Sequence, residues 1–193
     1  MYELFLQKFS EKISLTQEEE EFVRSYLVTK KLRKKQYWLH EGDICKSICV
    51  IEKGALRAFV LDEEGNEHIT SFALEGWTMG DLYSFIKEQP ATLNIQALEN
   101  CELTLISKIA YNELLKKLPK FETYMRILMT DAYMALQRRT NDMISLPLEE
   151  RYKAFIKIYP DLLQRFPQHM IASHMGISPE TLSRLKSKMS NAR

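Results

Sequence analysis

Three cysteines, Cys45, Cys49 and Cys101, are too few and odd in number for a disulfide framework, so a reducing compartment is expected. No stretch approaches the about 18 uncharged apolar residues that a bilayer-spanning helix needs. The opening MYELFLQKFSEK has neither the apolar core nor the small-residue cleavage site of a secretion signal. These absences predict a cytoplasmic protein with no membrane partner. No GxSxG, glycine-rich phosphate loop or HExxH occurs, which predicts that the chain is not an enzyme. Metal-ligand spacing is missing as well. His40, His68, His169 and His174 are scattered, and His169 and His174, five apart, point differently on a helix. The cysteines read as core thiols and the histidines as surface imidazoles.

What is there is an ordinary globular composition, 45% apolar and 27% charged, which excludes disorder and fibrous repeats. A length of 193 residues suits one full domain and a small second module. The net charge of +1 conceals a split. Residues 1–118 carry 15 Lys and Arg against 19 Asp and Glu, a net −4, and residues 147–193 carry 8 against 4, a net +4. A basic module on an acidic body points to a polyanion, the alternative being a solvated basic face. The run Lys30-Lys31-Leu32-Arg33-Lys34-Lys35 reads as the solvated edge of a first strand rather than a DNA contact.

Glycine divides the chain independently. Gly42, Gly54, Gly65 and Gly76 are spaced by 12, 11 and 11 residues, the interval of turns between short antiparallel strands. Strands are predicted over 36–40, 47–52, 55–61, 68–73 and 94–107, with a hairpin turn at Glu64-Gly65-Asn66. In the last strand Cys101, Leu103 and Leu105 alternate with Glu102 and Thr104, placing Cys101 on the buried face. Thr16 and Glu19 form a capping box that opens a helix through Tyr26, and 110–118 is a short helix. Between Pro119 and Pro147 no proline or glycine interrupts, allowing one helix of roughly 26 residues, about 39 Å long. Phe121, Met125, Leu128 and Ala132 form an apolar seam that drifts through Leu136 to Met143, with Arg138 and Arg139 breaking a strict heptad. This seam predicts a homodimer, the alternative being a helix packed on its own domain.

The tail carries the most specific pattern, PQHMIASHMGISPETLSRLKSK. A short helix over 168–175 buries Ile171, Ala172 and Met175, and Gly176 stands where the chain leaves it in a left-handed conformation. Ile177 plugs the turn, Ser178 caps a second helix, and Pro179 takes its first position. Leu182 and Leu185 face inward, and small Ala172 lets the two helices approach. Those are the demands of a helix-turn-helix. Glu180, Thr181, Ser183, Arg184, Ser187 and Lys188 face outward. Glu180 and Arg184, four apart, could read cytosine and guanine edges, or could simply pair with each other. Gln168, His169, Ser178, Pro179 and Lys186 complete the candidate DNA surface.

With these residues in view, the chain resembles the Crp–Fnr transcription regulators over nearly all of residues 20–190. The resemblance is carried by Glu41-Gly42-Asp43, the glycine ladder, Gly80-Asp81-Leu82 and the run Ile177–Arg184. It implies an α+β architecture: a cyclic-nucleotide-binding-type β-roll over 1–118, a dimerisation helix over 119–146 and a helix-turn-helix over 147–193. It implies double-stranded DNA and RNA polymerase as partners. Two departures follow. Nucleotide-binding members carry Gly-Glu-Leu and, about ten residues on, an Arg that neutralises the cyclic phosphate. Here Asp81 is a carbon shorter than Glu, Ala91 stands at the Arg position with Thr92 beside it, and no Arg lies between Arg57 and Arg126. A phosphodiester without a cation is poorly matched in a semi-buried pocket, so no cofactor is expected. The pocket around Gly80, Asp81, Leu82, Tyr83, Ala91 and Thr92 would take another small effector or none. The three cysteines also do not match the N-terminal cluster of the iron–sulfur members. Second, few residues follow the recognition helix before Arg193, so the β-hairpin wing of the family is not expected. Phosphate contacts would then come from helix N-termini, Lys186, Lys188 and the chain end. A small-ligand receptor signalling by protein contact, with a degenerate helix-turn-helix, is the alternative function, and a metal or redox sensor the third.

Overall fold

The computed structural model describes residues 2–160 and 162–191. Two helices, α1 (Glu3–Ser10) and α2 (Gln17–Arg24), precede the strands β1 (Leu27–Leu32), β2 (Tyr37–Leu39), β3 (Ser47–Lys53), β4 (Leu56–Leu61), β5 (Glu67–Ala73) and β6 (Thr78–Met79). After α3 (Leu82–Lys87) come β7 (Asn94–Ala97) and β8 (Cys101–Ser107). The remainder is helical: α4 (Lys108–Lys117), α5 (Pro119–Ser145), α6 (Leu148–Ile158), α7 (Leu162–Arg165), α8 (Gln168–Met175) and α9 (Pro179–Asn191). No helix of the described residues is long and apolar enough to cross a membrane.

The strands form two four-stranded antiparallel sheets, ordered β1-β8-β3-β6 and β2-β7-β4-β5. The chain changes sheet at Gly54, whose φ is +91° and where an added Cβ would lie 2.7 Å from the Asn100 carbonyl oxygen. Only glycine fits so close an approach. The predicted run 94–107 is two strands, one in each sheet, broken at residues 98–100. The capping box forms as read, with Thr16 Oγ1 accepting from the Glu19 N–H at 3.2 Å and Glu19 Oε2 from the Thr16 N–H at 2.7 Å.

Cys101 is buried, but Thr104, expected outward, is fully buried too. The cause is α1, an element beyond the sequence expectations. Glu52 accepts from the N–H groups of Leu4 and Phe5 at the start of that helix, and Thr104 Oγ1 donates to the same carboxylate at 2.7 Å. Phe9 of α1 then stacks on Tyr124 at 4.1 Å between centroids, and Phe5 meets the same ring edge-on at 6.2 Å.

That cluster corrects the expected dimer seam. Phe121 and Met125 are buried within their own chain, Phe121 against Phe9 and Tyr111, because α1 and α4 cover the first turns of α5. Leu128 is half-buried. Further along, Tyr133, Leu136 and Met143 are 65%, 61% and 53% exposed, and Ala132 is exposed as well. The seam left open is Tyr133, Leu136, Thr140 and Met143, continuing from half-buried Met129 with 4-3-4-3 spacing.

The chain forms two compact units. One takes the residues up to 61 together with 70–128, and the other takes 62–69 with the residues from 129 onward. The division falls inside α5 rather than at either of its ends. The tip of the β4–β5 hairpin belongs to the helical unit.

Candidate nucleic-acid interface and effector cassette

Within the second unit, Ile171, Ala172 and Met175 of α8 and Leu182 and Leu185 of α9 are buried together. Gly176 ends α8 at φ +69°, and the Ile177 N–H returns to the Ala172 carbonyl at 3.0 Å. Ser178 Oγ accepts from the Thr181 N–H at 3.2 Å, which caps α9 behind Pro179. These local demands leave Gln168, His169, Ser178, Pro179, Glu180, Ser183, Arg184, Ser187 and Lys188 exposed, and Thr181 and Lys186 half-buried. Among the described residues no ion pair joins Glu180 to Arg184. The Glu180 carboxyl is lowered first by the Ser178 hydroxyl and only weakly by the Arg184 charge. Arg184 therefore offers its guanidinium to solvent. Lys188 leans toward Glu149 at 3.4 Å, a loose exposed pair of little strength. No strand follows α9 among the described residues, and the chain end at Arg193, an expected phosphate contact, lies outside them.

His174 is a correction. Expected at the surface, it is buried between Phe155 and Tyr159, whose centroids lie 5.6 and 6.5 Å away. Burial, with the nearby Arg139 charge, pushes its pKa down to about 3. Arg139, expected only as a break in the heptad, donates Nη2 to the His174 carbonyl at 3.0 Å, closing the C-terminal end of α8. Ser173 donates Oγ to the Glu67 carbonyl at 2.9 Å and accepts from the Ile69 N–H at 3.0 Å. A lone serine in a helix gives no sequence signal for such a role.

In the first unit, the cassette from Gly80 to Thr92 is tied to itself. Asp81 is buried and caps α3, accepting from the Ser84 N–H at 3.0 Å on one oxygen and from the Thr92 N–H at 3.2 Å on the other. Ser84 Oγ bridges the Cys45 N–H and the Gln89 carbonyl at 2.9 and 2.6 Å. Ala91 is buried, its N–H on the Asp43 carbonyl at 2.8 Å. Leu82 and Tyr83, expected to line a pocket, are 49% and 59% exposed, because α3 turns them to solvent. Gly80 is half-buried beside Ile48 and Thr92 is exposed. Cys45, Cys49 and Cys101 are all buried, and desolvation raises each thiol pKa. Among the described residues no group of three or more His, Cys, Asp or Glu could hold a metal ion.

Residues 29–118 match the cyclic nucleotide-binding domain. The chain is 30% identical over 174 residues to the fumarate and nitrate reduction regulatory protein of Salmonella typhi, covering 81% of this chain and 66% of the relative. It is 28% identical over 173 residues to electron transport regulator A of Shewanella oneidensis, covering 81% and 66%. The chain thus spans about two-thirds of the length of these relatives. Among solved structures, FixK2 from Bradyrhizobium japonicum superposes with a TM-score of 0.73 at 14% identity, over 86% of this chain and 85% of that one. The chain belongs to the Crp–Fnr family. The relatives just named are regulators by name and not enzymes.

Membership in the Crp–Fnr family sharpens the departure at the cassette. Asp81 has both carboxylate oxygens engaged by backbone N–H groups of its own cassette. The position of the phosphate-binding Arg is a buried methyl, Ala91.

Proposed function

We propose that the chain is a sequence-specific DNA-binding transcription regulator that acts as a homodimer in the cytoplasm, with RNA polymerase as its protein partner. The observation that carries the reading is the pair α8 and α9, joined at Gly176 and capped at Ser178, with Arg184 and its outward neighbours facing solvent. The N-terminal half of α9 enters the major groove, where Glu180 and Arg184 face base edges, and Lys186 and Lys188 approach phosphates. Dimerisation through Met129, Tyr133, Leu136 and Met143 sets two recognition helices one duplex turn apart, about 34 Å. The cassette takes no cyclic nucleotide, and any effector is of another class.

The test is one titration of Arg184→Ala and Lys188→Ala against a selected duplex and its scrambled counterpart. Arg184→Ala should weaken the selected duplex by about 1–3 kcal/mol and relax preference at one position of each half-site. Lys188→Ala should weaken both duplexes alike and lower the salt slope by about 1 per protomer. Equal losses on both duplexes for Arg184→Ala would make it a phosphate clamp instead. Calorimetry with cyclic AMP should show no binding tighter than a Kd of about 10 μM.

A further inference from the structure

Residues 62–69 place Asp62, Glu63, Glu64 and Glu67 on one hairpin tip, all exposed, against a single His68. The tip is internally braced. The Asp62 carboxylate accepts from the N–H groups of Glu64 and Asn66 at 3.0 and 2.9 Å and meets His68 Nε2 at 2.8 Å. It belongs to the same compact unit as the helix-turn-helix and is bonded to α8. Ser173 Oγ sits between the Glu67 carbonyl and the Ile69 N–H as a neighbouring strand would. Ser173 lies four residues after His169, so the two share one face of α8. The face that carries a residue of the candidate DNA surface therefore also holds an acidic loop.

We propose that this tip is an autoinhibitory clasp: residues 62–67 occupy the α8 face in place of DNA phosphates and lower DNA affinity until they withdraw. The inference rests on the DNA-binding reading above. The tip that Ser173 holds on α8 carries four carboxylates, which oppose an approaching polyanion and offset the +4 of residues 147–193. The Ser173 hydrogen bonds in this contact are each modest in net strength, so a bound effector or a second contact could shift the balance.

The experiment uses the full chain and a labelled duplex selected from a random pool, read by fluorescence anisotropy, with hydrogen exchange at the Ile69 amide in parallel. Ser173→Ala should raise DNA affinity about tenfold and expose the Ile69 amide to exchange. Glu63→Gln with Glu64→Gln leaves Ser173 intact and should raise affinity about fivefold at about 50 mM salt, an advantage that fades by about 300 mM. Unchanged or weaker binding by either variant overturns the clasp, weaker binding meaning that the contact supports the DNA-competent arrangement. Fast exchange of the Ile69 amide in the unaltered chain overturns it as well. If the unaltered chain binds the duplex and the variants do not gain, the DNA reading stands and the clasp falls. If none binds, both fall.

Discussion

His174 shows what a single residue can do to pH dependence. Buried beside Phe155, with its pKa pushed down to about 3, it stays neutral in the folded chain well below the pH at which an unfolded histidine takes up a proton. The unfolded state then binds the extra proton, so stability is full above about pH 6.5 and falls as the pH drops toward 3. Between pH 7 and 5, His174→Leu should remove about 2 kcal/mol of this pH-dependent loss, measured by urea unfolding at each pH. A variant whose stability falls as steeply as the parent's would show that other groups set the slope. The thiols respond in the opposite direction. Burial raises all three above the ordinary cysteine range, most of all Cys49, so little thiolate exists at neutral pH. Alkylation at pH 7.5 should be slow in the native chain and fast in urea, and a fast native thiol would contradict their burial.

At the scale of the element, α5 is one helix with two environments. Its first turns are held by α1 and α4, and its middle offers Tyr133, Leu136 and Met143 to solvent. Leu136→Glu should therefore give a folded monomer by light scattering, whereas Phe121→Ala should cost about 3–5 kcal/mol of stability. A dimeric Leu136→Glu chain would place the interface elsewhere. The sequence made the length of α5 legible, because nothing between Pro119 and Pro147 breaks a helix. It did not make the buried face legible, because an apolar residue at helical spacing looks the same whether it meets α1 or a second copy. The turn at Gly176 and the cap at Ser178 were readable because each answers a local backbone demand. Ser173 and His174 were not, because their partners at 67, 69, 139 and 155 are remote in sequence. The cassette was half readable. The missing Arg was plain from composition, but the capture of Asp81 by Ser84 and Thr92 depends on the loop's geometry.

For the whole molecule, the division into two units has a spectroscopic consequence. Trp38 and Trp77 both lie in the first unit, whereas helices contribute to both. Tryptophan fluorescence and far-ultraviolet circular dichroism should give urea transitions that do not coincide, and coincident curves would mean that the units unfold as one. Helix α1 raises a question of timing instead. Its N–H groups wait for Glu52 and its two phenylalanines for Tyr124, so at about 5–20 residues per second the ribosome needs roughly 6–24 s after adding Phe5 before the last partner exists. During synthesis α1 thus stays unsatisfied until the chain has reached α5, and until then its aromatic face is open to whatever the cell supplies to cover it.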